Sequence, residues 1–122
     1  MIVIDTNIAI AYLGGDEELA ATFNKAVGQG GEIVVPTIVI AEILAYPHLD
    51  ATTIKQTREW LETLVVLPLD IEIAERAAEL RRATKMKLID CVVGATAMLH
   101  QASLATRDKE FSKMPRLTIL AW

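Results

Sequence analysis

Short runs of β-branched and aliphatic residues recur along the chain, and each is too short to form anything but a brief buried strand. The first run, Ile2 to Ile4, passes directly into an acidic residue, Asp5. The predicted strands cover residues 2–4, 33–35, 65–68, a short stretch centred on 104–105, and 117–120. An acid at the end of a strand is either a helix cap or part of a binding site.

Stretches with apolar residues at helical spacing lie between these runs. Asp16 and Asp70 stand where an N-cap is expected, whereas Gly28 and Pro47 stand where the helical spacing stops. The predicted helices cover residues 6–13, 17–27, 37–46, 71–83 and 88–100. A further helix, with Asp50 or Thr52-Thr53 as its N-cap, is predicted to run to Leu64. This alternation predicts an α/β fold with three α/β/α layers and a short, mainly parallel central sheet. We expect one domain over residues 1–122, because no linker interrupts the pattern.

The net charge, the length of the apolar stretches and the cysteine content limit the classes of protein to which this chain can belong. The 122 residues are 52% hydrophobic and carry a formal net charge of −4, which does not favour a binder of nucleic acid by overall charge. The longest apolar stretch, residues 33–41, contains Pro36 and is too short to cross a membrane. Cys91 is the only cysteine, so we expect a buried core thiol and no internal disulfide. These features, and the lack of a secretory signal, predict a cytoplasmic protein.

Two carboxylates occupy unusually apolar helices. Glu42 and Asp90 are each the only charge in their helix turns, where an unpaired carboxylate would cost several kcal/mol. Neither predicted helix provides a basic residue one turn away, although Lys87 precedes Asp90 in the connector. A buried basic partner or a bound cation would solve this problem. Asp90 has a further alternative, because it could cap a helix that starts at Cys91.

Asp108 follows a predicted strand, as Asp5 does. Its neighbours Arg107 and Lys109 leave a surface-loop interpretation open. If the four acids converge, their all-oxygen donor set would suit Mg²⁺ or Mn²⁺ rather than zinc. Phosphate-binding and dinucleotide-binding glycine motifs are absent, and so is the glycine-serine-glycine elbow of serine hydrolases. These absences count against a nucleotide-binding protein and a serine hydrolase.

Several short motifs occur in a characteristic order along essentially the whole chain. They are Val3-Ile4-Asp5-Thr6-Asn7, Pro36-Thr37 with Ala41-Glu42, Leu88-Ile89-Asp90 with Ala95-Thr96-Ala97, Thr106-Arg107-Asp108-Lys109-Glu110-Phe111, and Leu117-Thr118-Ile119-Leu120. Each motif alone is weak, but their order and spacing are specific. Together they resemble the PIN domain family of Mg²⁺-dependent ribonucleases, in particular the toxins of bacterial VapBC toxin–antitoxin pairs.

The resemblance implies a PIN-like fold and a set of site residues. The implied catalytic and metal-binding residues are Asp5, Glu42, Asp90 and Asp108, with Thr6, Asn7 and Thr106 as supporting residues. Glu110 competes with Asp108 for the position of the fourth acid. The implied activity is endonucleolytic cleavage of single-stranded or loop RNA with Mg²⁺ or Mn²⁺, leaving a 5′-phosphate. Two alternatives are a non-catalytic PIN-like RNA-binding module and an RNA-processing nuclease that has no antitoxin.

Basic residues are concentrated near two of these acids, since eight of the twelve lysines and arginines lie between positions 81 and 116. Such a cluster could hold the RNA backbone, and the alternative is a set of solvated loop charges. The candidate RNA-binding residues are Arg81, Arg82, Lys85, Lys87 and Arg107. The apolar helix faces and the resemblance together imply two protein partners, a cognate antitoxin and a second copy of the chain.

Overall fold

A five-stranded, entirely parallel sheet forms the centre of the computed structural model, which describes residues 1–122. The strands are β1 (Ile2–Ile4), β2 (Ile33–Pro36), β3 (Val65–Leu67), β4 (Ser103–Thr106) and β5 (Ile119–Ala121). The α-helices are α1 (Thr6–Leu13), α2 (Glu17–Gly28), α3 (Thr37–Leu44), α4 (Ala51–Leu61), α5 (Ile71–Thr84) and α6 (Leu88–Leu99). A 3-10 helix, Lys109–Lys113, precedes β5. The predicted three-layer α/β/α fold is confirmed.

The order of the strands is β3-β2-β1-β4-β5. The central strand β1 therefore has β2 on one side and β4 on the other, with Val3 paired to Val34 and to Leu104. All three of these side chains are fully buried, as expected for strands covered on both faces. The chain leaves β1 first toward β2 and later returns to β4, so the strand order reverses between β1 and β4. Such a reversal opens a crevice at the carboxyl ends of the strands.

The predicted strands and helices are all present, with differences at their ends. Helix α3 ends at Leu44 rather than Tyr46, and α4 ends at Leu61 rather than Leu64. Strand β3 ends at Leu67 rather than Pro68, and strand β5 is Ile119–Ala121, two residues later than its predicted start. The 3-10 helix was not predicted, because five residues with a single turn of spacing carry no periodic signal. These differences do not change the order of the elements.

Helix α6 is the most deeply buried helix, and residues 91–97 are all buried. Cys91 lies in this buried run, where burial raises the pKa of its thiol, so the predicted core thiol is confirmed. The buried helix packs against α5 and contacts both β1 and β4. Asp90, in its first turn, is thereby brought to the crevice. None of the helices has the length and apolar character needed to span a bilayer.

Candidate active site

A cavity of about 770 Å³ lies at the carboxyl edge of the sheet, where the strand order reverses. Four acids from four separate segments line it, namely Asp5, Glu42, Asp90 and Asp108. The other lining residues are Thr6, Asn7, Ala45, Tyr46, Pro47, Lys87, Leu88 and Ile89. The fold thus brings together the four acids singled out in the sequence, along with Thr6 and Asn7.

Asp5 is both a helix cap and a buried acid, with only 4% of its surface exposed. Its Oδ1 accepts a hydrogen bond from the backbone N–H of Ile8 at 2.9 Å, which caps α1. Its Oδ2 accepts a hydrogen bond from Oγ1 of Thr106. Burial raises the pKa of Asp5, the hydrogen bonds from Thr106 and Ile8 oppose the increase, and the charge of Asp108 adds to it. Capping and membership of the acidic cluster are therefore compatible.

Glu42 lies in the sixth position of α3 and is half-buried at the cavity wall. Its Oε1 accepts a hydrogen bond of 2.5 Å from Oγ1 of Thr6, at the start of α1. No lysine or arginine forms an ion pair with Glu42. A hydroxyl group therefore orients this carboxylate without neutralising it.

Asp90 is the third residue of α6, and Lys87 occupies the N-cap position. The alternative in which Asp90 caps a helix starting at Cys91 is wrong, because the helix begins three residues earlier, at Leu88. Burial raises the pKa of Asp90, and the charges of Asp108, Glu42 and Asp5 raise it further, whereas Lys87 lowers it. The carboxylate thus stands among like charges with one nearby cation.

Asp108 and Glu110 occupy different environments. Asp108 lines the cavity, and its Oδ1 accepts a hydrogen bond from the backbone N–H of Glu110 at 2.9 Å. The Glu110 side chain is not part of the cavity wall and forms an exposed ion pair with Lys113 at 3.7 Å. Of the two residues left open as the fourth acid, Asp108 is therefore the one that faces the other carboxylates.

Thr106 links two of the acids. It is buried, its hydroxyl group donates a hydrogen bond to Asp5, and the same oxygen accepts a hydrogen bond of 3.0 Å from the backbone N–H of Asp108. Strand β4 ends at Thr106, beside the end of β1. The supporting position that the resemblance implied for Thr106 corresponds to direct contacts in the structure.

The donor set fits a hard divalent cation. The carboxylates supply only oxygen atoms, and the cavity contains one lysine against four acids. No three histidine, cysteine, aspartate or glutamate side chains are arranged closely enough to hold one ion together. Mg²⁺ does not require such an arrangement, because it usually keeps several waters and uses one or two carboxylates. The uncompensated negative charge is the feature that a cation would relieve.

The five basic residues predicted to hold RNA are placed very differently. Only Lys87 lines the cavity. Arg81 donates from Nη1 to the backbone oxygens of Lys85 and Met86, at 2.7 and 2.5 Å, and so supports the connector between α5 and α6. Arg82 and Lys85 are exposed and lie outside the cavity wall. The guanidinium group of Arg107 forms an ion pair with Asp16, the N-cap of α2, and donates a hydrogen bond to the backbone oxygen of Trp122.

Two exposed apolar side chains at the cavity mouth were not singled out from the sequence. Tyr46 is 51% exposed and Leu88 is 57% exposed. Tyr46 follows Glu42 by four residues, so helical spacing could have placed both on one side of the chain. Its position next to Pro47 instead indicated only the end of a helix.

Comparisons with known proteins support the fold. The PIN domain model matches residues 2–117. The toxin–antitoxin complex from Klebsiella pneumoniae contains a chain with 28% identity and a TM-score of 0.82, covering 99% of this chain and 97% of that one. VapBC2 from Rickettsia felis, bound to a promoter DNA fragment, gives 20% identity and a TM-score of 0.88, covering 100% and 99%. A chain of VapBC-1 from nontypeable Haemophilus influenzae has 23% sequence identity and a TM-score of 0.84, and the match covers 100% of this chain and 98% of that one.

Proposed function

The chain belongs to the PIN domain family, and we propose that it is an endoribonuclease dependent on Mg²⁺ or Mn²⁺ and the toxin of a VapBC-type pair. The observation that carries this proposal is the convergence of Asp5, Glu42, Asp90 and Asp108 on one cavity. Partly buried and mutually repelling carboxylates destabilise a protein unless a bound cation offsets their charge, and such clusters are typical of functional sites. The loss of one of these acids would have favoured a non-catalytic module, and all four are present.

One or two of these four carboxylates would bind a hydrated ion, which when bound supplies Lewis-acid activation of water and of a phosphoryl oxygen. Thr6 and Thr106 each donate a hydrogen bond to one carboxylate and so fix the direction of its oxygens. Lys87 is the cationic side chain in the cavity wall, where it can contact a phosphate of the RNA backbone. No serine, cysteine or histidine lines the cavity, so this chain offers no such nucleophile.

An antitoxin and a second copy of the chain are the proposed protein partners, and a cytoplasmic RNA is the proposed target. The structural neighbours named above are toxin–antitoxin complexes, which supports an antitoxin. Exposed apolar side chains at and beyond the edge strand β3 support a homodimer, among them Val66, Leu69 and Ile71. Light scattering of the purified chain, alone and with the product of a neighbouring short reading frame, tests both partners.

RNA cleavage by the purified protein tests the enzymatic proposal. We expect wild-type protein to cut single-stranded RNA in Mg²⁺ or Mn²⁺, to lose activity in EDTA, and to recover it when the ion is restored. Asp5→Asn and Asp90→Asn should abolish cleavage while circular dichroism shows a folded protein. Full activity in both variants would refute the site. RNA binding without cleavage under every condition would favour the non-catalytic alternative, and cleavage without any antitoxin partner would favour the processing nuclease.

A further inference from the structure

A second cavity, of about 540 Å³, lies beside the acidic one. Its wall is formed by the end of β4, the 3-10 helix and β5, with Thr106, Arg107, Asp108, Lys109, Ser112, Ile119, Ala121 and Trp122 as lining residues. Asp108 is the one residue that lines both cavities. A bound linear polymer that passes over Asp108 would therefore extend from one cavity into the other.

The second cavity has a cationic side and an apolar side. Lys109 is exposed and forms no ion pair. Strand β5 and the residue after it contribute the apolar side, which consists of Ile119, Ala121 and Trp122. An ammonium group next to an aromatic and aliphatic surface matches a nucleotide, which has a phosphate at one end and a flat base at the other.

Arg107 holds the apolar side of the second cavity in place at Trp122. Its Nε donates to the backbone oxygen of Trp122 at 2.7 Å, and its Nη1 forms an ion pair with Asp16 at 3.0 Å. The Trp122 ring also contacts the ring of Phe23 edge to face, with centroids 6.3 Å apart. A surface fixed in this way loses little conformational entropy when a base stacks on it. Arg107 therefore acts as a positioning residue, and Lys109 is the free cation.

We propose that the second cavity is a nucleotide subsite, which takes an unpaired base beside the apolar side and the adjoining phosphate beside Lys109. This inference rests on the proposed ribonuclease function and deepens it, because it names the part of the RNA that lies next to the cleaved bond. Bases of a duplex are stacked and paired, so they cannot enter a cavity of this kind. The subsite thus selects single-stranded RNA at a position flanking the acidic cluster.

Equilibrium binding tests the subsite separately from catalysis. A labelled single-stranded RNA decamer is titrated in Mg²⁺ against the Asp90→Asn protein, in which we expect no cleavage, and fluorescence anisotropy gives the Kd. Added to this background, Lys109→Ala should weaken binding about 3- to 10-fold and lower the slope of log Kd against log salt by roughly 0.7. Trp122→Ala should weaken it about 5- to 100-fold, and Trp122→Phe should retain most of the affinity.

Lys113→Ala is the matched control, because Lys113 lies on the same 3-10 helix, pairs with Glu110 and does not line the cavity. An abasic residue placed along the decamer should cost affinity at one position next to the cleavage site, and Trp122→Ala should remove the sensitivity at that position alone. Equal effects of Lys109→Ala and Lys113→Ala, with unchanged binding by Trp122→Phe and Trp122→Ala, would overturn the proposal. Cleavage by wild-type protein without these binding effects refutes the subsite, whereas the binding effects without cleavage refute the nuclease.

Discussion

Thr106 donates a hydrogen bond from Oγ1 to Oδ2 of Asp5, a buried contact between residues 101 positions apart in the sequence. The same oxygen accepts the backbone N–H of Asp108. One hydroxyl group at the end of β4 therefore orients a carboxylate at the end of β1 and the main chain that carries a second carboxylate. This arrangement depends on β1 and β4 being neighbours in the sheet.

Replacing Thr106 tests the importance of that hydroxyl group. Thr106→Val keeps the shape of the side chain but removes the donor to Asp5 and the acceptor for Asp108, so we expect kcat for RNA cleavage to fall about 10- to 100-fold. Thr106→Ser keeps the hydroxyl group and should retain most of the activity. Thermal unfolding monitored by circular dichroism distinguishes loss of orientation from loss of fold. Equal kcat values for the valine and serine variants would contradict an orienting role.

Asp90→Asn should stabilise the metal-free protein. Because burial and neighbouring carboxylates raise the pKa of Asp90 in the folded state, its charge costs stability above the unfolded-state pKa. The gain in stability is present at pH 7 and should shrink as the pH falls through the folded-state pKa, because the aspartate side chain then becomes neutral, as the asparagine already is. Urea unfolding at pH 7 and pH 3 in EDTA measures this difference.

Glu75→Gln provides the control for Asp90→Asn, because it also removes one carboxylate charge but from an exposed position on α5 without an ion pair. It should change stability less at either pH. Mg²⁺ should raise the Tm of the wild-type protein, as any ligand of the folded state does, and raise that of Asp90→Asn by less. A Mg²⁺ effect of the same size in both proteins would argue against Asp90 as a ligand.

The two candidates for the fourth acid can be separated by paired substitutions. Asp108→Asn should reduce kcat at least about 10-fold, because its carboxylate faces the cluster. Glu110→Gln removes an exposed carboxylate paired with Lys113 and should change kcat less than about twofold. Measured rates in the reverse order would assign the role to Glu110 instead.

Arg81 is expected to act on structure rather than on RNA directly. Arg81→Gln removes a charged donor to the backbone oxygens of Lys85 and Met86 and should lower the free energy of unfolding by about 1 to 2 kcal/mol. Lys85 has a left-handed backbone conformation, with φ of 59°, so this connector needs such support. Arg82→Gln, at an exposed position, should leave stability nearly unchanged. Weaker RNA binding by Arg81→Gln at unchanged stability would contradict this assignment.

Local patterns in the sequence determined the strands, the helices and the acids that do not belong in apolar helices. Asp5, Asp16 and Asp70 could be assigned as caps because capping involves only residues three positions away. The charge of Glu42 in an apolar helix was conspicuous because burial without a partner is costly. These conclusions required no knowledge of which strands are neighbours.

The tertiary structure decided which groups meet. Strand order is fixed by packing between distant segments, and it alone brought the end of β1 next to the end of β4. Only the structure showed that Glu110, on the short 3-10 helix, pairs with Lys113, whereas Asp108 lines the acidic cavity. Only the structure showed that Arg107 contacts Asp16 and Trp122, which are distant in the sequence. Sequence therefore identified the acids as candidates, whereas only the fold could choose their hydrogen-bond donors, because partners so far apart along the chain are selected by geometry in three dimensions.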